Sequence, residues 1–159
     1  MGNTIPAITV RKSVTVNATR EHAFQVFTTG FDSWWPRAHH IGKAEMLAAI
    51  IEPKTGGRWY EKGVDGSECD WGTVLVWDAP NRVVLSWHLD GNWQFDPDPA
   101  RASEVVVTFV AESPSRTRVE LEHRGLERAN AAEQLRAGID SDQGWNGLLQ
   151  LYASAAQKA

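Results

Sequence analysis

The side chains best placed to move a proton are His123 and Glu61. Along Thr117–His123, alternation puts Thr117, Val119, Leu121 and His123 on one inward strand face, which makes His123 the one histidine directed into a core. A histidine there either works as an acid or base near neutral pH or holds its proton in one structural hydrogen bond. Glu61 shares a strand face with Trp59. If Trp59 borders a cavity the carboxylate does too, and apolar surroundings would raise its pKa toward that of a general base, whereas a position at the rim would leave it solvated. No nucleophile completes a triad, since Ser86 lies on the strand face opposite Trp87 and no Gly-x-Ser-x-Gly elbow occurs. The doublet Gly56-Gly57 lacks the longer glycine pattern and the Lys-Ser/Thr of a phosphate loop, and reads as a hairpin turn.

The stretch FDSWWPRAHH, residues 31–40, gathers two tryptophans and two histidines. Consecutive side chains of an extended segment point to opposite sides, so His39 and His40 do not readily share one ion; one is expected at a pocket mouth and the other in solvent. No His-x-x-x-His or Cys-x-x-Cys spacing supplies the remaining ligands of a zinc site. Neither a metal nor a cofactor is expected. Trp34 and Trp35 then either plug the open end of a sheet or form a ligand wall. They belong to a set of eight tryptophans, each with about 150–250 Å² of side chain to bury. A wall of this kind favours apolar or aromatic ligands over sugars and phosphates, because each buried polar group needs a partner.

These residues must be positioned by strands and two helices. Residues 8–16 alternate as a strand; a helix follows with Thr19 as N-cap, Ala23, Val26 and Phe27 on one face, and Gly30 at its end. Strands are predicted over about 45–51, 58–62, 70–77, 82–89, 104–111 and 117–123, with turns at Pro53–Gly57, Asp65-Gly66, Ala79–Asn81 and Ser113–Ser115. Residues 90–102, with Pro97 and Pro99, read as a long excursion. The end changes period: Asp140 and Gln143 resemble a capping box, and Trp145, Leu148, Leu149, Tyr152 and Ala156 line one face of a long helix. Gly144 and Gly147 suggest close backbone approach in its first turns. A helix whose apolar face matches that of an antiparallel sheet packs on it, giving a two-layer α+β domain. One domain over residues 8–157, preceded by a tail over 1–7, suits the length of 159 residues.

The net charge of −4, with no Lys/Arg run longer than two, lacks the footprint of a nucleic-acid binder. No apolar run approaches the roughly 18 residues of a membrane span, and MGNTIPAITV lacks a signal-peptide core, so a cytoplasmic setting is expected. Cys69 is the single cysteine, flanked by Glu68 and Asp70, which disfavour its thiolate.

Six stretches occur in a telling order: Trp34-Trp35-Pro36 with His39-His40; Glu52-Pro53-Lys54-Thr55-Gly56-Gly57-Arg58; Trp71-Gly72-Thr73-Val74; Pro80-Asn81-Arg82 through Trp87; Thr117 through Gly125; and Gly144-Trp145. Together they resemble bacterial members of the SRPBCC (START-like) superfamily, in the branch named after the activator of the heat shock protein 90 ATPase. The resemblance implies a helix-grip fold, a curved antiparallel sheet wrapped around the C-terminal helix over an internal cavity. It also implies binding of an apolar ligand, with a minority of members cyclising or hydrolysing theirs. Fold alone does not choose among these. The first expectation is reversible binding of a small apolar, aromatic molecule by Phe27, Trp34, Trp35, Trp59, Trp71, Trp87, Trp145, Leu148, Leu149 and Tyr152, with His39, Glu61 and His123 as polar anchors. The second is acid–base catalysis on that ligand by His123 or Glu61. The third, a chaperone-associated or stress-response module, follows from the branch name alone.

Overall fold

The computed structural model describes residues 6–158, so the tail expected over 1–7 falls largely outside the described residues. Strand β1 (Val10–Val16) leads into α1 (Arg20–Phe27), where the Thr19 hydroxyl accepts the His22 N–H at 3.1 Å and Ala23, Phe24 and Phe27 turn inward. Six strands follow: β2 (Met46–Ile51), β3 (Arg58–Gly63), β4 (Glu68–Asp78), β5 (Arg82–Trp87), β6 (Ser103–Ser113) and β7 (Arg116–Arg124). Two helices close the chain, α2 (Ala132–Ile139) and α3 (Trp145–Ala156).

The strands form one seven-stranded antiparallel sheet in the order β1-β7-β6-β5-β4-β3-β2. Consecutive strands pair everywhere except between β1 and β2, where α1 and residues 28–45 carry the chain from one edge to the other. The register places His123 between Val10 and Val105, and Val119 between Val14 and Phe109. Register shifts interrupt the ladders at Met46/Ala48, Trp59/Tyr60, Val74/Val76 and Ala111/Ser113. Such bulges bend strands and increase their twist, and here they accompany the curl of a half-barrel around α3. This is the helix-grip α+β fold.

Inside the curl, α3 buries Trp145, Leu148, Leu149, Tyr152, Ala153 and Ala156. The Tyr152 hydroxyl donates to the Ala23 carbonyl at 2.7 Å and ties α3 to α1. Two local expectations need correction. The capping box at Asp140–Gln143 does not form; α3 starts at Trp145 behind Gly144, with no side-chain cap. A Cβ on Gly144 would run into the Ile139 carbonyl and one on Gly147 into the Asp142 carbonyl, so the chain passes too close to itself there for larger residues. The second correction is α2, a helix the sequence reading left out. It opens at Ala131 in a left-handed conformation without a side-chain cap, so it lacks the usual start signal.

Candidate functional site

At the end of the half-barrel where α3 begins, a cavity of about 510 Å³ opens between three walls. The first is the turn after α1, from Trp35 to Ile41; the second is the sheet, through Trp71, Trp87 and Leu89 with Trp93 beyond; the third is the α2–α3 corner, from Gly138 to Leu148. Five indoles stand in these walls: Trp35, Trp71, Trp87, Trp93 and Trp145. They meet mostly edge to face, with Trp35 5.2 Å from Trp71, Trp71 5.9 Å from Trp87 and Trp87 6.0 Å from Trp145 between ring centroids. Interlocked rings of this kind hold one another in place, and the cavity lies within the size range of small-molecule sites, about 300–1,000 Å³.

Of the residues singled out from the sequence, Trp35, His39, Trp71, Trp87, Trp145 and Leu148 line this cavity. The others lie behind it. Trp34 packs on Phe27, Phe31 and Tyr152 and donates its indole N–H to the Val26 carbonyl at 3.0 Å, which makes it a plug, while its neighbour Trp35 forms wall. Trp59 is buried beneath Trp71 and Trp87. Phe27, Leu149 and Tyr152 belong to the core between α1, α3 and the sheet.

His123 also lies in the core. It is fully buried, with Nε2 2.8 Å from the Ser103 hydroxyl, and its Nδ1 accepts the Trp145 indole N–H at 3.1 Å. An indole N–H only donates, so Nδ1 carries the lone pair and the proton sits on Nε2, pointing at Ser103. Burial pushes the imidazole pKa down to about 3, so the ring is neutral at physiological pH. Glu61 is buried too, and its carboxylate is taken up by three N–H donors: Ile41 at 2.6 Å, the Trp71 indole at 2.9 Å and Gly42 at 3.3 Å. It thereby fixes both the first wall and a ring of the second. Burial, followed by the carboxylates of Glu61, Asp70 and Asp65, pushes the nearby Cys69 thiol up.

The histidine pair departs from expectation, since both residues are among those lining the cavity. Residues 36–40 turn instead of extending, with the His39 N–H donating to Pro36 at 3.0 Å and the Trp35 indole to the His39 carbonyl at 3.0 Å. His39 Nε2 reaches across to the Gln143 carbonyl at 2.9 Å, joining the first wall to the third; His40 Nδ1 meets the Gly42 carbonyl at 2.8 Å. Among the described residues no cluster of three or more His, Cys, Asp or Glu could hold a metal ion, and no helix is long and apolar enough to cross a membrane.

Trp93 is the one indole of the walls that was not among the expected ligand contacts. It sits in the excursion after β5, 47% exposed, with φ at +59°, a conformation an L-residue with a bulky side chain rarely adopts. Asp90 shapes this turn by accepting the Asn92 and Gln94 N–H groups. The Trp93 ring rests on Gly138 of α2, where a Cβ would come within 2.9 Å of it. The sequence signal was present in Asp90-Gly91-Asn92, a turn motif that sets the next side chain at a loop tip. The third wall was missed together with α2.

Residues 17–154 match the family described as activator of Hsp90 ATPase homolog 1-like protein. No curated protein matches the chain. Among solved structures, Txn09, an anthrahydroquino-γ-pyrone synthase complexed with SUM, is 42% identical over 97% of this chain and 99% of its own, with a TM-score of 0.65. CalC, a self-sacrificing resistance protein from Micromonospora echinospora, is 35% identical over 93% of each chain, with a TM-score of 0.67. The protein MLL2253 from Mesorhizobium loti, at 18% identity over 92% of this chain and 95% of its own and a TM-score of 0.64, shares the fold.

Proposed function

Because the chain belongs to the family of activator of Hsp90 ATPase homolog 1-like proteins, a family built here as a helix-grip fold around a cavity, we propose that this cavity reversibly binds a flat, hydrophobic aromatic molecule. The observation that carries the reading is the set of five indoles around about 510 Å³ of space at the mouth of α3. Flat aromatic surface buried against such walls gains roughly 25 cal/mol per Å² of apolar area, plus the offset or edge contacts that ring pairs favour. A relative 42% identical over nearly the whole chain is an anthrahydroquino-γ-pyrone synthase, which supports an aromatic ligand class.

The test is an NMR titration that follows the indole N–H signals against flat polycyclic aromatics and, for comparison, a saturated fatty acid. Saturable shifts at Trp35, Trp71, Trp87, Trp93 and Trp145, larger than those at Trp34, support the reading. Absence of saturable shifts in folded protein overturns it.

Acid–base catalysis on the same ligand is the second reading, favoured by the identity with a synthase. His39 is among the residues that line the cavity, whereas Nδ1 of His123 and both oxygens of Glu61, behind it, accept N–H donors. This reading predicts turnover that is lost in His39→Leu and survives Glu61→Gln in folded protein. A chaperone partnership rests on the family's description alone.

A further inference from the structure

Small-molecule sites combine apolar walls with a few polar groups that fix the ligand's orientation. Most polar side-chain atoms around this cavity are already spent or out of reach. The indoles of Trp35, Trp71 and Trp145 donate to the His39 carbonyl, Glu61 and His123 respectively. Trp87 Nε1 and His39 Nδ1 have no partner, but both are buried out of reach of the cavity space, and His39 Nε2 is engaged by the Gln143 carbonyl. Trp93 and Gln143 stand at the exposed edge, and Ser141 gives its hydroxyl proton to the Gly138 carbonyl at 2.6 Å. His40 differs from all of these.

Nδ1 of His40 lies 2.8 Å from the Gly42 carbonyl, an oxygen that only accepts, so Nδ1 carries the proton and Nε2 the lone pair. Among the described residues, the buried side-chain atoms without a partner are Arg20 Nε, His39 Nδ1 and Trp87 Nε1. His40 Nε2 has no partner either and is not one of these sealed atoms, so the half-buried ring keeps it open. The ring is also held in place. The buried Glu61 carboxylate accepts the Ile41 N–H at 2.6 Å and the Gly42 N–H at 3.3 Å, which fixes the backbone that His40 leans on. A Cβ on Gly42 would lie 3.1 Å from Cys69 Sγ and 3.2 Å from Glu61 Oε2, so Gly42 is seated against β3 and β4 and takes no part in the walls. The protonated edge of His40 therefore turns toward the sheet, while the residue itself lines the cavity. That leaves Nε2 as an acceptor oriented before any ligand arrives, which lowers the ordering cost of a bond made to it.

We propose that the cavity selects aromatic molecules carrying a free hydroxyl, phenols and hydroquinones, and that His40 Nε2 accepts the hydrogen bond from that hydroxyl. The inference rests on the binding reading above and adds the polar contact that the apolar walls leave undefined. The indoles hold the plane of the molecule, and His40 fixes which edge carries the hydroxyl. A hydrocarbon or a methyl ether of the same frame brings no donor, so Nε2 loses its contact with water and gains nothing in exchange.

The experiment uses probes with one flat frame: fluorene, the positional isomers of hydroxyfluorene, and the corresponding methoxyfluorenes, titrated calorimetrically or by indole fluorescence. The intact protein is expected to bind the best hydroxyfluorene about three- to tenfold more tightly than either fluorene or its methyl ether, the gain from one hydrogen bond. In His40→Leu that preference should vanish, and because it is a ratio taken within one variant, a general loosening of the wall cancels out of it. A second measurement needs no substitution: nitrogen-15 NMR of the histidine rings at mildly alkaline pH. Free protein should show His40 protonated at Nδ1 and bare at Nε2, and the Nε2 signal should move upfield on saturation with hydroxyfluorene but not with fluorene. Equal affinities for the three kinds of probe, a hydroxyl preference that persists in His40→Leu, a proton on Nε2 in the free protein, or an Nε2 signal that hydroxyfluorene leaves in place would each overturn the proposal while the binding reading stands. Saturable binding of none of the probes overturns both.

Discussion

At the scale of single residues, His123 shows how burial decides between chemistry and architecture. Its two nitrogens bridge Ser103 on β6 and Trp145 on α3, so one neutral ring fastens the sheet to the start of the helix that borders the cavity. The folded-state pKa of about 3 lies below the ordinary 6.5, so the unfolded chain binds the extra proton between those values. The stability this represents is complete above about pH 6.5 and is lost as pH falls toward 3, at up to about 1.4 kcal/mol per pH unit. Urea unfolding between pH 4.5 and 7 should show this gradient, and His123→Leu should remove one proton's share of it. An unchanged gradient in the variant would mean that His123 does not stay neutral in the folded protein. The same substitution should cost about 1–3 kcal/mol at pH 7 through the unpaired Trp145 N–H, since the Ser103 hydroxyl keeps its bond to the Trp87 carbonyl at 3.5 Å.

At the scale of elements, the cavity walls are held by side chains whose role lies in what they anchor. Glu61 fixes the Ile41-Gly42 backbone and the Trp71 ring, with two donors on one oxygen and Gly42 on the other. In Glu61→Gln the amide oxygen can serve one side only, leaving an N–H facing an N–H. We expect a loss of about 1–3 kcal/mol and faster amide hydrogen exchange at Ile41 or Gly42, measured by NMR; protection equal to the parent would show that the wall does not depend on the carboxylate. Trp93 poses the opposite case. Its left-handed backbone costs roughly 1–2 kcal/mol for a residue with a Cβ, and its ring, half exposed against Gly138, recovers little of that by burial. Trp93→Gly should therefore leave the melting temperature equal or higher while weakening aromatic-ligand binding several-fold. A clear drop in stability would instead make Trp93 a core residue. These walls also mark the limit of what could be read from the chain alone. Period-two alternation identified β1, β5, β6 and β7 together with their inward faces, because each strand there has one face in the core. The rims were illegible for physical reasons: residues 36–40 turn through backbone hydrogen bonds that no side-chain pattern announces, and α2 begins without a cap. Hence Trp34 and Trp35 were indistinguishable by type, though one donates into α1 and the other into the turn that brings His39 over the cavity.

For the molecule as a whole, the walls exist before any ligand arrives. The sheet is curled by its bulges, α3 is pinned to α1 by Tyr152 and to the sheet by His123, and the indoles interlock edge to face. Binding to such a preformed cavity should bury apolar surface without folding new structure. Calorimetry should then give a negative heat-capacity change well short of the 1,000–3,000 Å² burial that accompanies coupled folding, with enthalpy of either sign. It should also stabilise the fold by mass action alone. At a free ligand concentration about a hundred times Kd the gain is roughly 2.7 kcal/mol, which for a chain of this length corresponds to a rise in Tm of about 5–11 °C. A heat-capacity change of the size seen in coupled folding would mean that the tryptophan walls assemble around the ligand. The cavity described here would then be one state of a wall that closes, and Trp93, strained and half exposed at its edge, would be the residue to follow.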